Sequence, residues 1–406
     1  MHVLIVGGGL GGLSLAQSLR KQGISFEVFE RDADENARFQ GWAIALHSII
    51  DRLSSSVPSD LPDLRESTNH LSPLKLPPQI AMYLPGRTDR VGFQDSPQFP
   101  IIRAERGRLR KWLATNIPVR WGCQVTRIEH DEHGVSVHLG DGSIAKGDFL
   151  VGADGINSVV REHLLHRSSK ELLQVVPLAT VVGELTLSGE AFKRQLSLGH
   201  SGYMCIRSDL GFIAFVGLHY TLPDGLSGRY YWNFMQSSDV SDPNHWLQTA
   251  SPQEKRDRVL NAIGGMPAEL REIFEQTPVE GIRPESHVWR DVELDSLPVG
   301  RVVLVGDAAH AMTPFRGEGG YHTLIDTLLL GNIFGDMNTG AKFKDPAVVG
   351  EIIAGYNEEM LQRGRKAVQD SRNLHGNAGR VGPDGKPLVV EMIPLSDVEI
   401  KLGIDS

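Results

Sequence analysis

Cysteine is almost missing: 406 residues hold two, Cys123 and Cys205, and neither belongs to a CxxC pair. A disulfide framework and a cysteine zinc site are thereby disfavoured, and a reducing compartment fits. No apolar run approaches the ~18 residues that a membrane span needs. No basic, cleavable leader precedes the strand-like Val3–Val6, so the expectation is a cytoplasmic protein. Positive charge is the minority, 41 Lys and Arg against 50 Asp and Glu, net −9. That argues against nucleic acid or an anionic membrane as the main partner. No cluster of His, Cys, Asp or Glu reads as a metal site or a nucleophilic triad.

Glycine, by contrast, is plentiful at 44 residues, which points to tight turns or to backbone approaching a ligand. The length exceeds what one core usually organises, so two domains are expected. Residues 2–6 read as a parallel-type strand, 12–22 as a helix closed by Gly23, and 25–30 as a second strand, together a βαβ unit. Residues 54–78 look irregular, 108–115 helical, and 117–151 a set of short antiparallel strands. The stretch 173–284 turns β-branched and aromatic, with a helical piece at 254–276. From 301 the parallel-strand pattern returns, followed by helical patterns at 320–337 and 347–375. The fold class is therefore α/β: a Rossmann-like domain interrupted by a mainly antiparallel sheet domain. The expected division is 1–72, 104–172 and 285–375 for the first, 73–103 and 173–284 for the second, and 376–406 as a tail.

The run VGGGLGG places Gly7, Gly9 and Gly12 in a GxGxxG between a strand and a helix. The first glycine permits the turn, the second lets backbone reach a diphosphate, and the third lets helix and strand pack closely. Leu10 lies within the fingerprint. Glu30 ends the second strand, where a carboxylate can bind ribose hydroxyls, and Arg31 follows it. These features specify a dinucleotide without distinguishing FAD from NAD. A second phosphate-like device lies at 304–326. There a strand runs into Asp307, then Pro314, then Gly317, Gly319 and Gly320 ahead of a helix, whose N–H groups suit an anion.

Three ordered motifs carry a resemblance. GGGLGGLSLAQSLRKQGISFEVFERD resembles the opening of the class A flavin-dependent monooxygenases, the para-hydroxybenzoate hydroxylase fold. FLVGADGINSVVR (149–161), with Asp154, Gly155 and Arg161, resembles their second motif, and VGDAAHAMTPFRGEGG their third. The resemblance implies FAD, its ribityl hydroxyls held by Asp307 and its reduced ring favoured by the Gly317–Gly320 loop, which Pro314 lines. It offers Arg106, with Arg103 as the competing register, for a cofactor phosphate or the flavin edge. The backbone of Val125 would meet adenine. Arg161 would clamp the Asp-Gly loop or help dock NAD(P)H, and His310 would be structural. Tyr321 departs from the family, which often has asparagine there.

The implied activity is NAD(P)H- and FAD-dependent monooxygenation. Dioxygen is activated as a flavin C4a-hydroperoxide, and a small aromatic or polyketide-like molecule is hydroxylated, as in secondary metabolism. A same-fold flavin reductase or dehydrogenase, an epoxidase or Baeyer–Villiger oxygenase, and a non-enzymatic flavin-bearing interaction protein are the alternatives. The expected assembly is a monomer or homodimer. Candidates for proton handling and substrate contact are His47, Tyr203, Arg207 and His219. Alternation puts Tyr203, Cys205 and Arg207 on one face of a strand without saying which.

Overall fold

The computed structural model describes residues 1–86, 90–372 and 392–403. Strand His2–Val6 is buried on both faces. It pairs in parallel with Ser25–Phe29 on one side and Phe149–Gly152 on the other. Val302–Leu304 and Val119–Arg120 complete a five-stranded parallel sheet. Helix Leu10–Lys21 packs on this sheet and against the long helix Gly319–Asn338. A three-stranded antiparallel layer (Val125–His130, Val135–Leu139, Ile144–Gly147) adjoins it. Parallel strands need crossovers, and ligands then collect at the carboxyl ends of the strands, where Gly7 and Asp307 stand.

A second unit is built on a seven-stranded sheet. Its order is Leu178–Ser188, Ser227–Ser237, Phe212–Thr221, Gly202–Arg207, Gln79–Tyr83, Val91–Gln94 and Ile393–Pro394. All its pairings are antiparallel except Gly202–Arg207 with Gln79–Tyr83. One face is covered by helices Gly189–Leu198, Pro252–Ala262 and Ala268–Gln276, forming a core of its own around Phe192, Trp232 and Phe274. The first unit has a separate core around Leu4, Phe149 and Ile325. The chain passes between the cores near Leu71, in the second, and Ile102, in the first.

Three segments differ from the sequence expectation. Within 117–151, Val119–Arg120 and Phe149–Gly152 join the parallel sheet, and the strands between them are the antiparallel ones. Residues 54–78 are not uniformly irregular: helices Ile50–Ser56 and Leu64–Thr68 occur there, the second capped by the Asp63 side chain on the Glu66 N–H. The region 376–406 is more than a tail. Residues 376–391 and 404–406 of it lie outside the described residues, but Ile393–Pro394 forms a sheet edge and Ile400 is buried in the second core. Short, weakly periodic segments give no pattern from which such docking can be read. Among the described residues no helix is long and apolar enough to cross a membrane.

Candidate functional site: a groove between the two sheets

Helix Leu10–Lys21 starts at Gly9 with no side-chain cap and no acidic residue in its first turn. A methyl group at Gly9 would meet nothing within 4 Å, so the space in front of these N–H groups is open. At Gly12 the opposite holds: a side chain would overlap the Gly7 carbonyl oxygen, which explains the third fingerprint glycine. Glu30 is buried, and its carboxylate accepts the N–H groups of Gly8 at 2.7 Å and Asp32 at 3.0 Å. The Cys123 N–H donates to the Glu30 carbonyl, which brings the start of strand Val125–His130 to the same end. Leu10 is half-buried in the fingerprint turn, and Arg31 is exposed.

Arg110 was not singled out from the sequence. It donates to the Gly8 carbonyl at 2.9 Å and the Glu35 carbonyl at 2.8 Å and lies over Trp121, while its buried Nη2 has no partner. The signal was present: Arg110 follows Arg106 by four residues on helix Arg106–Leu113, so both line one helix face. Arg106 is exposed, while its guanidinium packs close to Gly41. Desolvation therefore lowers its guanidinium from the ordinary value, while the charge of Asp307 opposes this.

Asp307 is the one exposed residue in the otherwise buried run Arg301–Ala311. It opens the short helix Asp307–His310, right after Gly306 with φ 61. Behind it, fully buried Arg161 donates to the carbonyls of Ala308 at 3.0 Å and Asp307 at 3.5 Å, and to Ile156 and Ser169. Arg161 thus clamps the Asp-Gly loop. It has no surface with which to dock a nicotinamide dinucleotide, and that expectation is corrected. Asp154, which the resemblance offers as a cofactor contact, has its carboxylate engaged at the start of helix Val159–Leu165, whose N-cap is Ser158. It accepts from Ser158 Oγ at 2.5 Å and from the N–H groups of Val159 at 2.7 Å and Val160 at 3.3 Å. An Asp followed by Ser four residues later suits a helix start as well as a ligand, so sequence could not decide.

Pro314–Arg316 form a single tight turn, Gly317 takes φ 65, and helix Gly319–Asn338 begins with no side-chain cap and no acid in its first turn. Below the loop, Asp326 accepts from the Gly306 N–H at 2.7 Å and from Arg363 at 2.7 Å, and it bonds His310 Nε2 at 2.7 Å. His310 is thus part of a buried scaffold. Facing the loop, strand Ala43–His47 brings the His47 ring parallel to that of Tyr321, centroids 5.7 Å apart. Burial pushes His47 down to about 4.

The uncovered face of the seven-stranded sheet turns toward this loop. Leu178, Met235, Ile213 and Phe215 form an apolar cluster with Val176 and Trp289, and Phe315 of the loop joins it, its ring 5.4 Å from Trp289. Beside them Tyr231 stacks on Trp42 at 4.4 Å and 6°. Arg103 donates to the Tyr231 hydroxyl at 2.6 Å and lies over Phe215, so its contacts are with the sheet and not with the fingerprint turn. His219 is also on this side, its Nε2 3.1 Å from Glu105, the residue that caps the helix carrying Arg106.

Tyr203 and Arg207 are not part of the groove. Their strand turns Tyr203 and Cys205 into the helix-covered core, where the Tyr203 hydroxyl donates to Gln195 at 2.8 Å. Arg207 pairs with Asp209 at 2.6 Å at the strand's outer end. Period-two alternation fixed their common face but not its direction. A surface concavity of about 700 Å³ between Arg20, Asp60 and Trp112 lies on the outside of the first unit and contains none of these groups.

A long dinucleotide fits this groove. The open helix start at Gly9, the unpartnered Nη2 of Arg110, the exposed carboxylate of Asp307 and the uncapped helix at Gly319 offer complementary groups for a diphosphate, a polyol and an anionic ring.

Comparison with known proteins gives the same direction. Residues 103–371 match the FAD binding domain family, and residues 5–35 the NAD(P)-binding Rossmann-like domain family. The chain is 55% identical to the FAD-dependent monooxygenase thnD of Trichoderma harzianum, over 99% of this chain and 100% of that one. It is 27% identical to the FAD-dependent monooxygenase cctM of Talaromyces islandicus, over 91% of each. Its fold is similar to that of Klebsiella pneumoniae HpxO, solved with FAD and uric acid: TM-score 0.67, 21% identity, 92% of this chain and 87% of that one.

Proposed function

Because this chain belongs to the FAD binding domain family and is an NAD(P)H- and FAD-dependent monooxygenase, we propose that it hydroxylates a small aromatic, polyketide-like molecule held between the open sheet face and the Pro314–Gly320 loop. The carrying observation is the apolar cluster of Leu178, Ile213, Phe215, Met235, Trp289 and Phe315, which spans from sheet to loop. A flat apolar ring is the ligand such walls suit.

Bound FAD would supply hydride acceptance from NAD(P)H and activation of dioxygen. The chain's own groups do the rest. The N–H groups after Gly9 and the Arg110 guanidinium meet the diphosphate. Asp307 accepts from the ribityl hydroxyls, with Arg106 balancing its charge. The N–H groups at Gly319 and Gly320 favour negative charge on the ring. Phe315 and Trp289 keep water from the reacting carbon. His47, held neutral beside Tyr321, would offer an uncharged imidazole near the loop. Dioxygen is the co-substrate in this proposal and a reducing cytosol its setting, which the free Cys123 and Cys205 suit.

The test uses the purified yellow holoenzyme with a panel of phenols under labelled dioxygen. Stimulated NAD(P)H oxidation with one labelled oxygen atom retained in product is expected. Product formed without oxygen would instead identify a reductase.

A further inference from the structure

Arg103 is 5% exposed, and among the described residues no carboxylate pairs with it. One Nη donates to Tyr231, the guanidinium faces the Phe215 ring, and the buried Nε has no partner. Glu105, two residues along the strand, is taken up by the N–H groups of Gly107 and Arg108 and by His219. The other titratable groups near Arg103 are Tyr231, which burial keeps protonated, and His70, which burial keeps neutral. An unpaired buried cation is costly, so a place for an anion is implied.

Asn233 supplies a second unfilled group. It is 8% exposed, and its Oδ1 is buried without a hydrogen-bond partner. It lies on the groove side of the sheet, between Tyr231 and Met235 in alternation. Its partner across the ladder is Phe215, the ring beneath Arg103, so the two unfilled groups adjoin. Carbonyl oxygen of a buried amide needs a donor, and the Arg103 Nε–H needs an acceptor.

We propose that Arg103 and Asn233 together read the polar edge of the substrate: an ionised phenol or enol oxygen against Arg103 Nε, and a neighbouring protonated hydroxyl donating to Asn233 Oδ1. This rests on the aromatic-substrate reading above and narrows it to di- or polyhydroxylated rings. Holding the oxygen as its anion leaves the ring electron-rich, which the oxygen transfer requires. Arg103 and Asn233 are then substrate-binding and specificity-determining residues.

The test titrates 2,4-dihydroxyacetophenone and its two monomethyl ethers into holoenzyme, reading the shift of the bound flavin spectrum across pH. In the unaltered enzyme, methylating either hydroxyl weakens binding tenfold or more, and affinity rises with pH as the probe ionises. Arg103→Met flattens that pH dependence, and Arg103→Lys restores part of it. Asn233→Leu removes the penalty for one of the two ethers. FAD affinity and melting temperature report whether each variant folds; both should stay near the parent. If Arg103→Met releases FAD while probe binding per flavin is unchanged, Arg103 serves the cofactor and the proposal fails. If the parent binds the diol and its ethers equally, polar-edge recognition fails while the aromatic reading stands. If no phenol or ether perturbs the flavin, both fall.

Discussion

Asp326 and His310 meet at 2.7 Å with side chains 0% and 3% exposed, beneath the loop that presents Asp307. Arg363 and the Gly306 N–H complete the set, and together they hold the Asp326 carboxyl down at about 2 against the cost of its burial. Asp326→Asn takes from buried Arg363 one of its two carboxylate partners, Glu359 remaining the other, and a loss of about 1–3 kcal/mol is expected. Thermal or urea melting of the variant checks it, with flavin content as a second reading. Unchanged melting and full flavin content would refute the scaffold role.

The same groups set the acid limb of stability. His47 has a folded-state value lowered to about 4, so the unfolded chain takes up its proton first as pH falls below the ordinary histidine range. Stability is full above that range and declines from there to about 4. Asp326 is likewise depressed, so its contribution is present above the ordinary carboxylate range and is lost as pH falls toward 2. Melting temperature should therefore fall monotonically on acidification, in two stages. His70, likewise buried and lowered, shares the upper stage, so His47→Asn should shrink that stage and leave the lower. A stability maximum near pH 5 would contradict the assignment.

Asp307 is exposed in the structure and accepts no hydrogen bond from any described side chain. Asp307→Ala is therefore expected to leave the flavin-free fold within about 0.5 kcal/mol of the parent. FAD affinity should drop about ten- to a hundredfold, the worth of a charge-assisted hydrogen bond. Equilibrium dialysis against FAD measures it. Retained affinity would move the ribityl contact elsewhere.

At Gly12 a methyl group collides with the Gly7 carbonyl, which is backbone and cannot swing away. Gly12→Ala should cost about 1–3 kcal/mol through forced separation of helix and strand, and weaken FAD binding with it. Gly9→Ala, with open space around it, should cost the flavin-free fold far less. Comparing the two melting curves without cofactor tests the difference.

Tyr203→Phe removes one hydrogen bond to Gln195 in the helix-covered core. A loss of about 1 kcal/mol in stability is expected, with turnover unchanged. A fall in turnover at equal flavin content would bring Tyr203 back into the chemistry.

The nucleotide end was legible because GxGxxG, Glu30 and the βαβ pattern constrain one another over thirty contiguous residues. Asp307 and the glycine loop were legible for the same reason: turn chemistry is local. The substrate side was not. Alternation tells which residues share a face, and only packing of helices such as Gly189–Leu198 decides which face they cover, so the side taken by Tyr203 was not readable in advance. Asp154 shows a different limit, since holding a helix start and contacting a ligand ask for the same side chain. Asn233 and Arg110 carry no motif; their interest lies in atoms left unfilled by the finished fold.

The sheet unit and its helices draw on residues 71–94, 178–282 and 393–400, and the chain between those stretches and before them builds the other core. Neither half is a contiguous stretch of gene. A single crossover between relatives cannot exchange one half as a cassette, since wherever it falls it divides at least one of the two cores. Substrate range in such a molecule has to drift by replacing side chains on the open sheet face one at a time, while the cofactor half stays as it is.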